Sequence, residues 1–184
     1  FGVEQLNMRA RASMNFTILD LPEISRRCKE KGVRTYLTLN TIIYDHDLSI
    51  IKTLLDKAKA ADLTAVIAMD QAVIAYARQI GMEVHISTQI NITNIETVKF
   101  YALFADTMVM SRELSISQIK KICQQIEKEQ IKGPSGNLVE IEIFGHGALC
   151  MAVSGKCYLS LHSHNSSANR GACKQNCRKK YTVI

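Results

Sequence analysis

Apolar residues recur at helical spacing in five stretches of the chain, and between those stretches lie short runs that are apolar almost throughout. The first helical pattern covers residues 20–31, with Leu21, Ile24 and Cys28 on one face and Gly32 at its end. A strand over 35–40 follows at once. Asp47 then caps a helix through residue 62 that aligns Ile50, Ile51, Leu54, Leu55 and Ala58, and residues 64–69 form the next apolar strand. The alternation continues with a helix over 71–80, a strand over 83–87, a helix over 95–103, a strand over 107–111, a helix over 115–129 and a strand over 138–144. Residues 132–137, Lys-Gly-Pro-Ser-Gly-Asn, read as an exposed turn.

Short apolar strands separated by amphipathic helices predict an α/β fold whose parallel sheet is covered on both faces. A barrel and an open sheet both satisfy this alternation. No Gly-x-Gly-x-x-Gly and no P-loop follows any strand, which speaks against dinucleotide binding and nucleotide hydrolysis. The expected architecture is therefore an incomplete TIM-like (β/α) barrel, since five or six strands cannot close an eight-stranded one. Residues 1–149 are expected to form the partial barrel, and 150–184 a cysteine-rich metal- or cluster-binding segment of the same domain. The chain opens at Phe1, in what reads as a strand-to-helix junction, so a fragment or a processed chain is expected. A homo-oligomer that completes the sheet with an element of a second copy is an alternative, because open sheet edges invite association.

At 184 residues with 47% hydrophobic content, the chain can bury one sizeable core. The net charge of +6 is partly concentrated in Arg170, Lys174, Arg178, Lys179 and Lys180. That makes nucleic acid a candidate partner, with simple surface solvation the alternative. No apolar run reaches the roughly 18 residues needed to span a bilayer, and no signal-peptide order opens the chain, so a cytoplasmic location is expected. In a reducing compartment six cysteines favour metal ligation over disulfides. Cys28 and Cys123 lie on helical faces as packing residues. Cys150, Cys157, Cys173 and Cys177 can surround one soft centre, zinc or an iron-sulfur cluster, and their spacing alone does not choose between the two. His162 and His164 are possible additional zinc ligands or surface histidines.

Polar groups close each strand: Asn40, Asp70, Ser87-Thr88-Gln89, Ser111-Arg112-Glu113 and His146. These ends share one face, where loops converge on a pocket in folds of this kind. Asp70, Thr88 and Ser111 serve equally well as helix caps. His85 lies within its strand, as a core histidine does. There is no His-Glu-x-x-His helix and no Gly-x-Ser-x-Gly elbow, so a hydrolytic centre would have to be sought elsewhere, for instance in a Cys150–His146 pair.

The segment Glu142-Ile143-Phe144-Gly145-His146-Gly147-Ala148-Leu149-Cys150, with Gly155-Lys156-Cys157-Tyr158-Leu159-Ser160 after it, resembles the signature of the collagenase-like peptidase family U-32. Further matching segments are Asn7-Met8-Arg9-Ala10-Arg11-Ala12 with Asn15-Phe16-Thr17, His85-Ile86-Ser87-Thr88-Gln89 with Thr93-Asn94, Ser111-Arg112-Glu113-Leu114, and Ser167-Ala168-Asn169-Arg170-Gly171. The resemblance implies a TIM-like barrel that here lacks its N-terminal strand-helix unit and a C-terminal part. The family is named for collagenolytic activity, yet several members hydroxylate RNA bases or the ubiquinone ring without oxygen and carry a 4Fe-4S cluster on four cysteines. By this similarity Cys150, Cys157, Cys173 and Cys177 are the expected cluster ligands, and a tRNA or rRNA base the expected substrate. Prephenate is the hydroxyl source in the RNA-modifying relatives. Arg9, Arg11 and Arg112 are candidates for holding such a dicarboxylate or a phosphate, or else form structural ion pairs. His85, Gln89, Glu113 and His146 are candidates by position for catalytic polar or proton-transfer work. The alternatives are a collagenase-like peptidase and a non-catalytic zinc-stabilised domain.

Overall fold

The computed structural model describes residues 1–11, 14–147 and 150–182. Five strands, β1 Tyr36–Leu39, β2 Ala65–Ala68, β3 Glu83–Ile86, β4 Thr107–Val109 and β5 Glu140–Glu142, form one parallel sheet in the order β1-β2-β3-β4-β5. Around them run α1 Leu21–Glu30, α2 Leu48–Ala60, α3 Gln71–Gln79, α4 Ile95–Ala102 and α5 Ile116–Glu129. The last strand pairs only as far as Glu142, short of the expected 138–144, and Ile143 and Phe144 beyond it are exposed.

The strand order never reverses. Right-handed crossovers between successive parallel strands then carry α2 to α5 to the same side of the sheet, as in a partial barrel, whereas a doubly wound sheet would need a switch point. Burial follows the pleat. The row Leu39, Ala68, Ile86 and Met108 is fully buried beneath the helices, together with Leu21, Ile51, Leu55 and Val73. Each such leucine or isoleucine stabilises the fold by about 1.5–3 kcal/mol. The opposite row, Thr38, Ile67, His85, Thr107 and Glu140, faces the concave side. Among the described residues the crossover helices thus cover one face of the sheet, and the expected helix cover on both faces is not found. The concave face instead carries the polar residues.

Helix starts follow local chemistry. Asp70 accepts from Ala72 N at 2.9 Å and Asn94 from Thr97 N at 2.9 Å, while Ser115 and Gln118 form a reciprocal capping box. Asp47 occupies the N-cap of α2 but makes no cap hydrogen bond there, contrary to the expected role. Its carboxylate is turned to other partners.

Phe1 continues the sheet at the outer edge of β1: its amino group donates to Tyr36 O at 3.0 Å, and Thr38 N donates to Phe1 O at 2.9 Å. One residue bonded to positions two apart is the parallel ladder pattern. Burial lowers the pKa of this amino group below the ordinary α-amino range. At the other end, residues 150–182 form α6 Leu159–His164 and 3-10 turns at Ala168–Arg170 and Asn176–Arg178. The hydrophobic pattern did not predict α6, because a six-residue helix is too short to display a period.

Candidate functional site

The C-terminal ends of the strands surround an open cavity of about 420 Å³, lined by Thr38, Asn40, Ser87, Thr88, Glu142 and Phe144 among others. Asn40 organises its rim: Oδ1 accepts from Met8 N at 3.1 Å, and Nδ2 donates to Ser87 Oγ at 3.3 Å. The loop bearing Arg9 and Arg11 is thereby drawn over the end of β1. Both arginines are exposed, and Arg11 N donates to Gly171 O at 3.1 Å. Ala12, in the matching motif, lies outside the described residues, as do Ala148 and Leu149.

His85 lies one pleat below, 2% exposed, between two carboxylates. Its Nε2 is 2.9 Å from Glu83 Oε1, and its Nδ1 is 3.7 Å from Glu142 Oε1. The Tyr36 ring stacks obliquely on it with centroids 4.7 Å apart. Burial raises the Tyr36 pKa above the usual phenol value, opposed by Arg34 and reinforced by the carboxylates of Glu83, Glu142 and Glu140. The Glu83 hydrogen bond orients the imidazole, while Nδ1 is buried without a hydrogen-bond partner among the described residues.

The remaining predicted residues divide. Gln89 and Arg112 both abut the stretch 152–155: Arg112 Nη2 donates to Ser154 Oγ at 2.6 Å and to Ala152 O at 3.3 Å, and a Cβ added to Gly155 would lie 3.1 Å from Gln89 Oε1. Glu113 accepts a short hydrogen bond from Ser111 Oγ, which holds its carboxyl below the ordinary glutamate range. It is therefore a carboxylate acceptor at neutral pH. His146 is exposed and is not drawn into this group. Asp70 is a helix cap that also accepts from Ile43 N at 3.1 Å, and Thr88 donates to Met110 O at 3.3 Å.

The four cysteines are free thiols. Cys157 and Cys173 are half-buried, Cys150 and Cys177 exposed, and Gln175 N donates to Cys173 Sγ at 3.4 Å. Four thiols are the donor set that a soft metal or an iron-sulfur cluster takes. An amide N–H aimed at sulfur also suits a ligating thiolate. Among the described residues no three His, Cys, Asp or Glu side chains are gathered as a ready ligand group. Cys28 and Cys123 are half-buried on α1 and α5.

The sequence model of peptidase family U32 matches residues 1–184, from end to end. This chain belongs to peptidase family U32. Among U32 relatives, a collagenase of Porphyromonas gingivalis strain W83 is 56% identical over 183 residues, covering 100% of this chain and 44% of the relative. A tRNA hydroxylation protein of Bacillus subtilis is 31% identical, over 99% of this chain and 41% of that protein. A 23S rRNA 5-hydroxycytidine synthase of Escherichia coli is 34% identical, over 95% of this chain and 25% of that enzyme. The chain therefore spans less than half the length of these relatives. No solved structure matches it.

Sequence reasoning missed the residues that hold the cysteine segment in place. Asp47 binds Arg170 in two hydrogen bonds, Nη1–Oδ2 at 2.6 Å and Nη2–Oδ1 at 3.1 Å. Asn91 Nδ2 bridges Gln89 O at 2.9 Å and Ser154 O at 2.8 Å. Asn91 takes the left-handed conformation, φ 60°, that ends the 3-10 turn Thr88–Ile90, and Asp47 reads locally only as a helix cap, with nothing in its neighbourhood to mark Arg170 as its partner. Arg170, counted among the free basic groups from sequence, is taken up by this ion pair.

Proposed function

We propose that this chain is the strand-end, cluster-bearing portion of an oxygen-independent hydroxylase acting on a tRNA or rRNA base. The observation that carries the reading is that the cysteine segment docks on the strand-end face, through Arg112 to Ser154 and Arg170 to Asp47, beside the cavity. The segment that carries the four thiols and an open cleft then share the face where α/β folds of this class do their chemistry. Cys150, Cys157, Cys173 and Cys177 would hold a 4Fe-4S cluster, which supplies one-electron redox chemistry when bound. Exposed Arg9 and Arg11 would meet the anionic groups of a carboxylate hydroxyl donor such as prephenate, or of RNA phosphate. His85, hydrogen-bonded to Glu83, would be the buried polar group nearest beneath the strand ends. Exposed Lys174, Arg178, Lys179 and Lys180 would meet the RNA backbone.

The tRNA and rRNA hydroxylation relatives support this reading. The relative named collagenase favours a second one, peptide hydrolysis, which needs an activated nucleophile beside a base or a metal that activates water. The ring nitrogens of His85 face carboxylates instead. The deciding experiment is anaerobic purification with iron and sulfide quantitation, for the natural protein and for Cys150→Ala, Cys157→Ala, Cys173→Ala and Cys177→Ala. About four irons per chain, lost in each variant, is the expected result. Protein without iron, or gelatin cleavage that survives iron removal and Cys150→Ala, overturns the hydroxylase reading.

A further inference from the structure

We infer that Arg112 and Arg170 are positioning residues, heads of two separate clamps that each fix one half of the cysteine segment to a different strand end. The first clamp joins the loops after β3 and β4 to residues 152–155. Arg112 Nη2 reaches Ser154 Oγ at 2.6 Å and Ala152 O at 3.3 Å, while Asn91 Nδ2 holds Ser154 O at 2.8 Å. Ser154 is 4% exposed, so these bonds are shielded from water. Cys157 follows three residues beyond Ser154, and Cys150 precedes Ala152 by two.

The second clamp joins the loop after β1 to residues 168–171. Arg170 binds Asp47 in a fork, donates from Nη1 to Ile42 O at 2.6 Å, and lies over the Tyr44 ring at 4.9 Å. The adjacent Asn169 O accepts from Ile42 N at 3.2 Å, and Gly171 O from Arg11 N at 3.1 Å. Cys173 follows two residues later, and Cys177 four after that. The clamps share no residue. Each clamp lies within three residues of a half-buried cysteine, Cys157 or Cys173, while Cys150 and Cys177 are exposed. The quartet thus divides two plus two, one half-buried and one exposed thiol in each half.

Arg112 was expected to bind a substrate anion; this geometry gives one of its terminal nitrogens to the segment that carries Cys157. The clamps are argued from hydrogen bonds alone, and only their consequence for ligand assembly rests on the proposed iron-sulfur function.

The test is site-resolved alkylation of the reduced, iron-free protein with iodoacetamide, read by mass spectrometry at each cysteine. Arg112→Gln, which removes the charged donor to both Ser154 and Ala152, is expected to speed Cys157 roughly tenfold or more and to leave Cys173 unchanged. Arg112→Lys restores part of the protection, since an ammonium still donates to Ser154. The double variant Asp47→Asn with Arg170→Gln, which avoids a stranded buried charge, is expected to speed Cys173 and spare Cys157. Equal acceleration at both cysteines in either variant, or none at either, overturns the two-clamp assignment. Iron uptake is measured in parallel: selective alkylation without iron uptake by the unsubstituted protein would sink the hydroxylase reading and leave the clamps standing.

Discussion

Arg170 and Asp47, 123 residues apart, form a bidentate ion pair in which the carboxylate side chain is 6% exposed and the guanidinium 25%. This contact ties the segment after α6 to the N-terminus of α2. The hydrogen bonds from Arg170, helped by the Tyr44 amide and opposed by burial, hold the Asp47 carboxyl below the ordinary aspartate range. A carboxyl whose folded pKa is depressed stabilises the fold above its unfolded value, near 3.9, and that contribution is lost as pH falls through the folded pKa. Urea unfolding below about pH 4 should therefore show a steeper loss of stability in the natural protein than in the neutral double variant Asp47→Asn with Arg170→Gln. At neutral pH Arg170→Ala alone should cost about 3–5 kcal/mol, because it strands a buried carboxylate. Parallel acid profiles for the two proteins would refute the assignment.

Gly171 and Gly32 both have positive φ, 80° and 63°, but their surroundings differ. A Cβ on Gly171 would fall inside the contact radius of the Asn7 carbonyl oxygen, whereas one on Gly32 meets nothing within 4 Å. Gly32→Ala should cost only the left-handed backbone preference, about 1 kcal/mol. Gly171→Ala should cost clearly more, about 2–4 kcal/mol, as the loop of residues 7–11 is pushed from the cysteine segment. Thermal unfolding of both variants checks the ranking.

Lys179 and Lys180 are exposed and follow Cys177 by two and three residues. If they contact RNA phosphates, replacing each by Gln should lower the slope of log affinity against log salt by about 1 and weaken binding alike across sequences. An unchanged slope for tRNA binding in the double variant would remove these lysines from the interface.

Glu23 accepts hydrogen bonds from Arg26 and Arg27, which lower its pKa to about 2 although all three side chains are exposed. NMR titration should find it well below the other glutamates at low ionic strength and moving back toward them in about 1 M salt. Unfolding midpoints of Glu23→Gln should stay close to those of the natural protein, because exposed pairs contribute little. A salt-independent titration would mean that the pair is shielded from solvent.

Hydrophobic periodicity in the sequence determined the strand and helix alternation to within a few residues, because Leu39, Ile51, Leu55 and Val73 must face a core wherever the chain folds. The family signature around Gly145 and Cys157 was equally legible, as was the polar character of the strand ends. Only tertiary structure decided which polar groups are spoken for. Arg170 reads as a free cation and Asp47 as a helix cap until the chain brings them together across 123 residues. His85 sits in an apolar strand, yet its neighbours Glu83 and Glu142 come from its own strand and from β5. The order β1-β2-β3-β4-β5 put every crossover helix on one face and left the concave face polar, where local pattern predicted cover on both. The physical reason is range: burial and helix spacing are short-period properties of the sequence, whereas hydrogen-bond partners across the sheet depend on strand order and crossover handedness.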